Sequence, residues 1–144
     1  MNKISSVGFH FLINYSLKNR GLLKLFIEKL FKKENVRLSE LNIVFCDDSY
    51  LLVLNKRFLK HDYYTDILSF PLSASGEPLI AEIYISLDRV RENAIIGRVS
   101  FKEELHRVIF HGVLHFCGYK DKSVRDIRIM RKMEDKYLME YFKQ

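Results

Sequence analysis

The segment Ser100 to Gly118, SFKEELHRVIFHGVLHFCG, constrains the fold more than any other part of the chain. Ser100 and Glu103 have the form of a capping box, in which the serine oxygen accepts the Glu103 backbone N–H and the glutamate returns to the cap. The helix FKEELHRVIFHGVLHFC then runs to Gly118, where glycine reverses the chain in a left-handed conformation at no Cβ penalty. Any fold of this chain must place a helix bounded at both ends, with His111 and His115 one turn apart on the same face.

Two readings of that pair stand side by side. The imidazoles of residues i and i+4 can hold one ion, or they can be hydrogen-bonded core residues above an ordinary glycine cap. Asp121, three residues beyond Gly118, completes the spacing HxxxHxxGxxD and favours the metal, since this is the shape of the metzincin zinc helix and turn. Gly112 occupies the place where an HExxH peptidase carries its glutamate base, which removes that peptidase chemistry. His106 lies at a different helical angle and reads as a surface or packing residue, and the step from His115 turns Cys117 to another face as a buried, inert thiol.

The surrounding chain predicts the layers that receive this helix. Phe9, Phe11 and Ile13 alternate as in a strand, and apolar residues at 22, 23, 26, 27, 30 and 31 have helical spacing. Leu41–Cys46 reads as a buried strand, followed by a helix capped by Asp48 and running to about Phe58. TDILSFPL and LIAEIYISL are two more strands joined by SASGEP; Ser86 or Asp88 caps the next helix, and the last begins near Ser123. With 144 residues, no linker and no repeat, one domain over residues 1–144 is expected. The class is α+β, a small mixed β-sheet packed by helices and not a doubly wound fold, with a zincin-like metal helix followed by a glycine turn.

The net charge of +6 and the pI near 9.3 favour a polyanionic partner, and residues 18–37 are notably basic. Cys46 and Cys117 form no paired spacing, so neither a disulfide framework nor a thiolate cage is expected and a reduced cytoplasmic setting is predicted. His10 interrupts the early apolar stretch and no small-residue cleavage site follows, which predicts no export. No apolar run has the length of a membrane span.

HGVLHFCGYKD resembles the signature HGxLHLxGYDH of the YbeY-type endoribonucleases, the bacterial ribosomal RNA maturation factors. TDILSF at 65–70 is similar to that family's TN/TD-V-L-S-F block and LIAEIYIS to its GDIxIS strand, so the resemblance covers most of the chain. It implies a small α+β metal protein acting on single-stranded RNA, in small-subunit ribosomal RNA 3′-end maturation and ribosome quality control. His111 and His115 match the first two ligands, and the third family histidine falls at Asp121. A carboxylate there lowers the charge of the site by one, which keeps Zn²⁺ as the first expectation for one divalent ion and admits Mn²⁺ or Fe²⁺. Leu59 stands where the family has arginine, and Ala81 and Glu82 replace its Gly-Asp.

The resulting expectation is a metal-dependent endoribonuclease in which His111, His115 and Asp121 hold the ion and leave a position open. Asp66 and Glu82 are candidate catalytic carboxylates, as proton acceptors or orienting groups, or else strand-edge residues capping backbone N–H groups. Arg57 and Lys60, with Arg125, Arg128 and Lys132 on one face of the last helix, are candidate RNA-binding residues; that helical face equally fits a solvated surface paired with Asp135 and Glu140. Ile127, Met130, Tyr137 and Tyr141, with Met133 and Leu138 beside them, form the packing stripe of the same helix. The expected partners are single-stranded RNA and ribosomal RNA or the small ribosomal subunit, with no membrane. The alternatives are a non-catalytic, metal-stabilised ribosome-assembly factor and an oxygenase using two histidines and one carboxylate.

Overall fold

A computed structural model describes residues 6–61 and 65–143. Strand β1 (Ser6–Phe11) leads through helix α1 (Arg20–Lys33) to β2 (Leu38–Cys46), and α2 (Asp48–Leu59) leads to β3 (Ile67–Pro71) and β4 (Leu79–Ser86). Helices α3 (Leu87–Gly97), α4 (Phe101–Phe116) and α5 (Val124–Lys143) complete the chain. The sheet order is β1-β2-β4-β3; β1 and β4 run parallel to β2, and β3 is the antiparallel edge beside β4. The mixed sheet of an α+β domain is therefore present. The parallel β1–α1–β2 unit is the part that the irregular succession of strands and helices did not predict, because parallel pairing depends on a crossover and leaves no turn motif.

Side chains alternate between the faces of a strand. Leu41, Ile43 and Phe45 of β2 and Ala81, Ile83 and Ile85 of β4 are buried on one face, in a core shared with Ile27 and Leu30 of α1, Val108 and Val113 of α4 and Tyr137 of α5. On the other face α2 inserts Leu51 beside Cys46 and Leu68, with Phe70 and Tyr84 partly buried against them. Gly112 permits the close seat of α4: a Cβ there would lie 2.7 Å from Ile67 Cδ1 and 2.9 Å from Ile83 Cδ1.

Several boundaries differ from expectation. Asp47, and not Asp48, caps α2: its backbone is extended, and its carboxylate accepts from Tyr50 N at 2.9 Å. Asp48, already in the first turn, accepts from Ser86 Oγ and from Arg89. Strand β2 begins three residues early because its pairing with β4 continues to Leu38 through an irregularity between Leu38 and Glu40. Ser86 and Ser100 cap α3 and α4 by accepting from Arg89 N and Glu103 N. Met130, Tyr137, Leu138 and Tyr141 are buried as the stripe requires, but Ile127 is 52% exposed because the first turn of α5 borders a cleft. No helix among the described residues is long and apolar enough to cross a membrane.

Candidate metal centre

The end of α4 turns in the way its sequence dictates. Gly118 N–H donates to the His115 carbonyl and Tyr119 N–H to the Leu114 carbonyl, with Gly118 at φ +99°, which is the Schellman pattern. This reversal carries Asp121 back over the histidine face. Asp121 Oδ2 lies 3.3 Å from His111 Nε2 and 3.3 Å from His115 Nε2, and the two rings meet edge to face with centroids 4.6 Å apart.

The residues fit a metal ion. One donor atom from each of the three lies within 4.8 Å of the other two. Ligands bonded at about 2.0–2.1 Å to a tetrahedral ion stand about 3.3 Å apart, the spacing that Asp121 keeps to both histidines. Two imidazoles and a carboxylate suit Zn²⁺, Mn²⁺ or Fe²⁺.

His111 is held from behind. Its Nδ1 donates to Glu134 Oε2 at 2.7 Å, which leaves Nε2 directed at Asp121. Glu134 is only 4% exposed; Arg107 Nη1 donates to its other oxygen at 3.1 Å and reaches Asp135 through Nη2 at 2.8 Å. A carboxylate on the outer nitrogen of a ligating histidine fixes tautomer and ring orientation. Burial alone lowers the His111 pKa, but the Glu134 hydrogen bond and charge, with Asp121 and Asp66, outweigh it and raise the value. Sequence reasoning missed Glu134, although a signal existed: it falls between Met130 and Tyr137 on the buried stripe, where a lone carboxylate needs a partner.

Two clefts meet at the histidines. One, of about 440 Å³, runs between α4 and α5 past Glu104, Arg107, Ile127 and Arg131; the other, of about 480 Å³, follows the edge strand β3 past Thr65 and Ser69. His111, Asp121 and Asp66 border both. Asp66 therefore lies beside the cluster, its Oδ2 accepting from Asn93 Nδ2 at 3.3 Å. Burial raises its pKa, opposed by the His111 charge and its own backbone N–H and assisted by Glu134 and Asp121. Burial likewise raises that of Glu104, a second cleft carboxylate that sequence reasoning did not single out.

The structure does not bring Glu82 to this place. Glu82 lies on the α2 side of the sheet with Tyr84, whose hydroxyl donates to its Oε1 at 3.1 Å, while its neighbour Ile83 faces α4. Strand alternation therefore assigns the acid to the wrong face for His111. Arg57 and Lys60, at the end of α2, are exposed and border neither cleft, and the same holds for Arg125, Arg128 and Lys132 on α5. Arg131, the neighbour of Lys132, reaches the cleft instead. His106 packs against Tyr141, and Cys117 is partly buried with its thiol pushed up to about 12 by burial and then by Glu34.

Fold and cluster together define a class: α+β domains that carry a histidine pair on a sheet-packed helix and a third potential metal-binding side chain after its glycine turn. The family model described as Endoribonuclease YbeY matches residues 13–142, and the chain belongs to that family. It is 44% identical to Endoribonuclease YbeY of Flavobacterium psychrophilum over 92% of this chain and 94% of the relative. It is 45% identical to that of Cytophaga hutchinsonii over 84% and 85%. A solution structure of a Thermotoga maritima protein superposes with a TM-score of 0.62 at 27% identity, covering 95% of this chain and 89% of the other.

Proposed function

We propose that this protein is a metal-dependent endoribonuclease that cuts single-stranded RNA, with small-subunit ribosomal RNA 3′-end maturation and ribosome quality control as its setting. The observation that carries the reading is the His111–His115–Asp121 cluster at the meeting point of two open clefts, since a strand crossing it presents one phosphate to the cluster while its flanks lie on either side. His111, His115 and Asp121 hold one divalent ion, Zn²⁺ first, with Mn²⁺ or Fe²⁺ suited by the carboxylate. Such an ion, when bound, supplies Lewis-acid polarisation of a phosphoryl oxygen and acidifies water. Asp66 borders both clefts beside His111 and takes a proton or orients the attacking group. Arg131, which lines one cleft, steers phosphate, while Arg57, Lys60, Arg125, Arg128 and Lys132, which border neither cleft, add only to the long-range positive field that attracts a polyanion.

The test is metal content and cleavage of a single-stranded oligoribonucleotide by wild type, by the His111→Ala/His115→Ala double variant and by Asp121→His. The double variant loses both bound metal and cleavage, and Asp121→His raises cleavage with zinc. Equal metal content in wild type and double variant sinks the cluster as a metal site. The second reading, a non-catalytic assembly factor pinned by its metal, is favoured by Leu59, an exposed apolar residue in place of the family arginine. Metal-loaded protein that binds ribosomal particles but leaves single-stranded RNA intact selects it.

A further inference from the structure

A cavity of about 480 Å³ between the start of α1 and the α4–α5 pair plays no part in the site above. Its polar end is the N-terminus of α1. Helices α2, α3, α4 and α5 are each capped by a side chain, from Asp47, Ser86, Ser100 and Ser123. At α1, Asn19 is left-handed at φ 58°, makes no side-chain cap bond, and no acidic residue follows in the first turn. The first backbone N–H groups of α1 and the positive end of its dipole are thus left without a side-chain cap beside the cavity, which Lys18, Asn19 and Leu22 border together with Lys102, whose Nζ stands 5.4 Å from the centroid of the Phe142 ring. No carboxylate borders it among the described residues.

The second end is built around His106. This residue is 4% exposed, its ring stacks on Tyr141 at 5.2 Å, and its Nδ1 lies 2.7 Å from the Lys102 carbonyl oxygen. A carbonyl only accepts, so Nδ1 carries the proton and Nε2 presents a lone pair. Burial lowers the pKa of this histidine despite the bond to Lys102, which keeps the ring neutral. Nε2 has no partner among the described residues, and His106 borders the cavity. Tyr15, Phe101 and Phe142 supply aromatic surface to the same cavity; Tyr15 meets Phe101 edge to face with centroids 5.8 Å apart, and Phe142 meets the His106 ring edge to face at 5.1 Å.

We infer that this cavity binds a nucleotide, its phosphate at the N-terminus of α1 with Lys18 and Lys102 and its base against the aromatic walls, donating an N–H to His106 Nε2. An uncapped helix N-terminus, aromatic side chains and a single ring-nitrogen acceptor bordering one cavity are the three parts such a ligand requires, and the volume is of ligand size. The choice of a nucleotide among aromatic anions rests on the RNA reading above.

The experiment is a titration of the ¹⁵N-labelled full chain, followed by NMR, with adenosine 5′-monophosphate, adenosine and inorganic phosphate in turn. The monophosphate saturates, moving the first amides of α1 and the His106 ring nitrogens, and binds at least about tenfold more tightly than phosphate or adenosine alone. His106→Phe keeps the ring stack but deletes the acceptor, so it weakens the monophosphate about tenfold and leaves phosphate unaffected. His106→Gln, which restores an acceptor, recovers much of that loss. Lys18→Ala/Lys102→Ala weakens monophosphate and phosphate together. A trinucleotide binding at least tenfold tighter than the monomer assigns the site to an RNA strand, and equal binding assigns it to free nucleotide. The inference is overturned if monophosphate and phosphate bind alike, if nothing saturates by about 10 mM, or if His106→Phe binds the monophosphate as wild type does. Because binding is read and not cleavage, a protein without nuclease activity leaves the inference standing, and an empty cavity leaves the metal site standing.

Discussion

At the scale of single residues, the proposed metal centre depends on a group outside the His111–His115–Asp121 cluster itself. Glu134 holds Nδ1 of His111 and is itself held by Arg107, so the ring has its tautomer and direction before any ion arrives. Glu134→Gln replaces an obligate acceptor with an amide that can face His111 with its N–H₂, and the fixed tautomer is lost. Metal affinity is expected to fall about 10- to 100-fold, the usual effect of removing such an outer partner, with the fold retained. Competition against a chromophoric chelator measures it. An unchanged affinity means that α4 packing alone orients the ring. Asp121 is the converse case, an exposed residue whose position comes entirely from the turn at Gly118.

At the scale of elements, the decisive contact is α4 against β3 and β4. The residue between the histidine and the rest of the turn is glycine because the helix lies too close to Ile67 and Ile83 for a Cβ, and Ile83 is fully buried and cannot step aside. Gly112→Ala gains about 1 kcal/mol of helix propensity but meets overpacking that typically costs about 1–3 kcal/mol. The expected net result is a destabilisation of about 1 kcal/mol, with α4 pushed off the sheet and the spacing of the histidines to Asp66 opened. Urea denaturation reads the first effect and metal affinity the second. A variant more stable than wild type would show that Ile67 and Ile83 repack freely. The same glycine that excludes HExxH chemistry in the sequence thus has a packing reason in the fold.

At the scale of the molecule, α1, the turn after α4 and α5 are tied through Glu34, which accepts from the hydroxyls of Tyr119 and Tyr137. Burial, then the Glu34 hydrogen bond and charge, push the Tyr119 hydroxyl up to about 12, and the same causes raise Tyr137. Burial also raises Tyr141, and it is the first cause that pushes the Cys46 thiol up to about 12. Each acid holds its proton longer folded than unfolded, so the folded state binds more protons at alkaline pH. Stability is therefore complete below the unfolded values of about 8.5–10 and is lost as pH rises through them toward about 12. Urea midpoints are expected to be flat near pH 8 and to fall steeply above about pH 10. Tyr137→Phe removes up to about 1.4 kcal/mol per pH unit of that slope. An equal slope in wild type and Tyr137→Phe would remove this hydroxyl from the alkaline transition.

The sequence by itself determined what local geometry decides. The capping serine and terminal glycine bounded α4, the i,i+4 spacing put two imidazoles on one face, and β-branched runs marked the sheet, because each depends on dihedral and periodic demands within a few residues. One-residue errors, such as Asp48 for Asp47 as the cap of α2, came from two acids that both suit a helix start until the backbone selects the extended one. Only the tertiary structure decided which distant groups meet. It brought Glu134 to His111 across 23 positions, turned Glu82 to the far face of the sheet, and closed a cavity between the start of α1 and His106. Those outcomes follow from strand register and helix packing, which bring together residues whose separation in the chain carries no periodic signal.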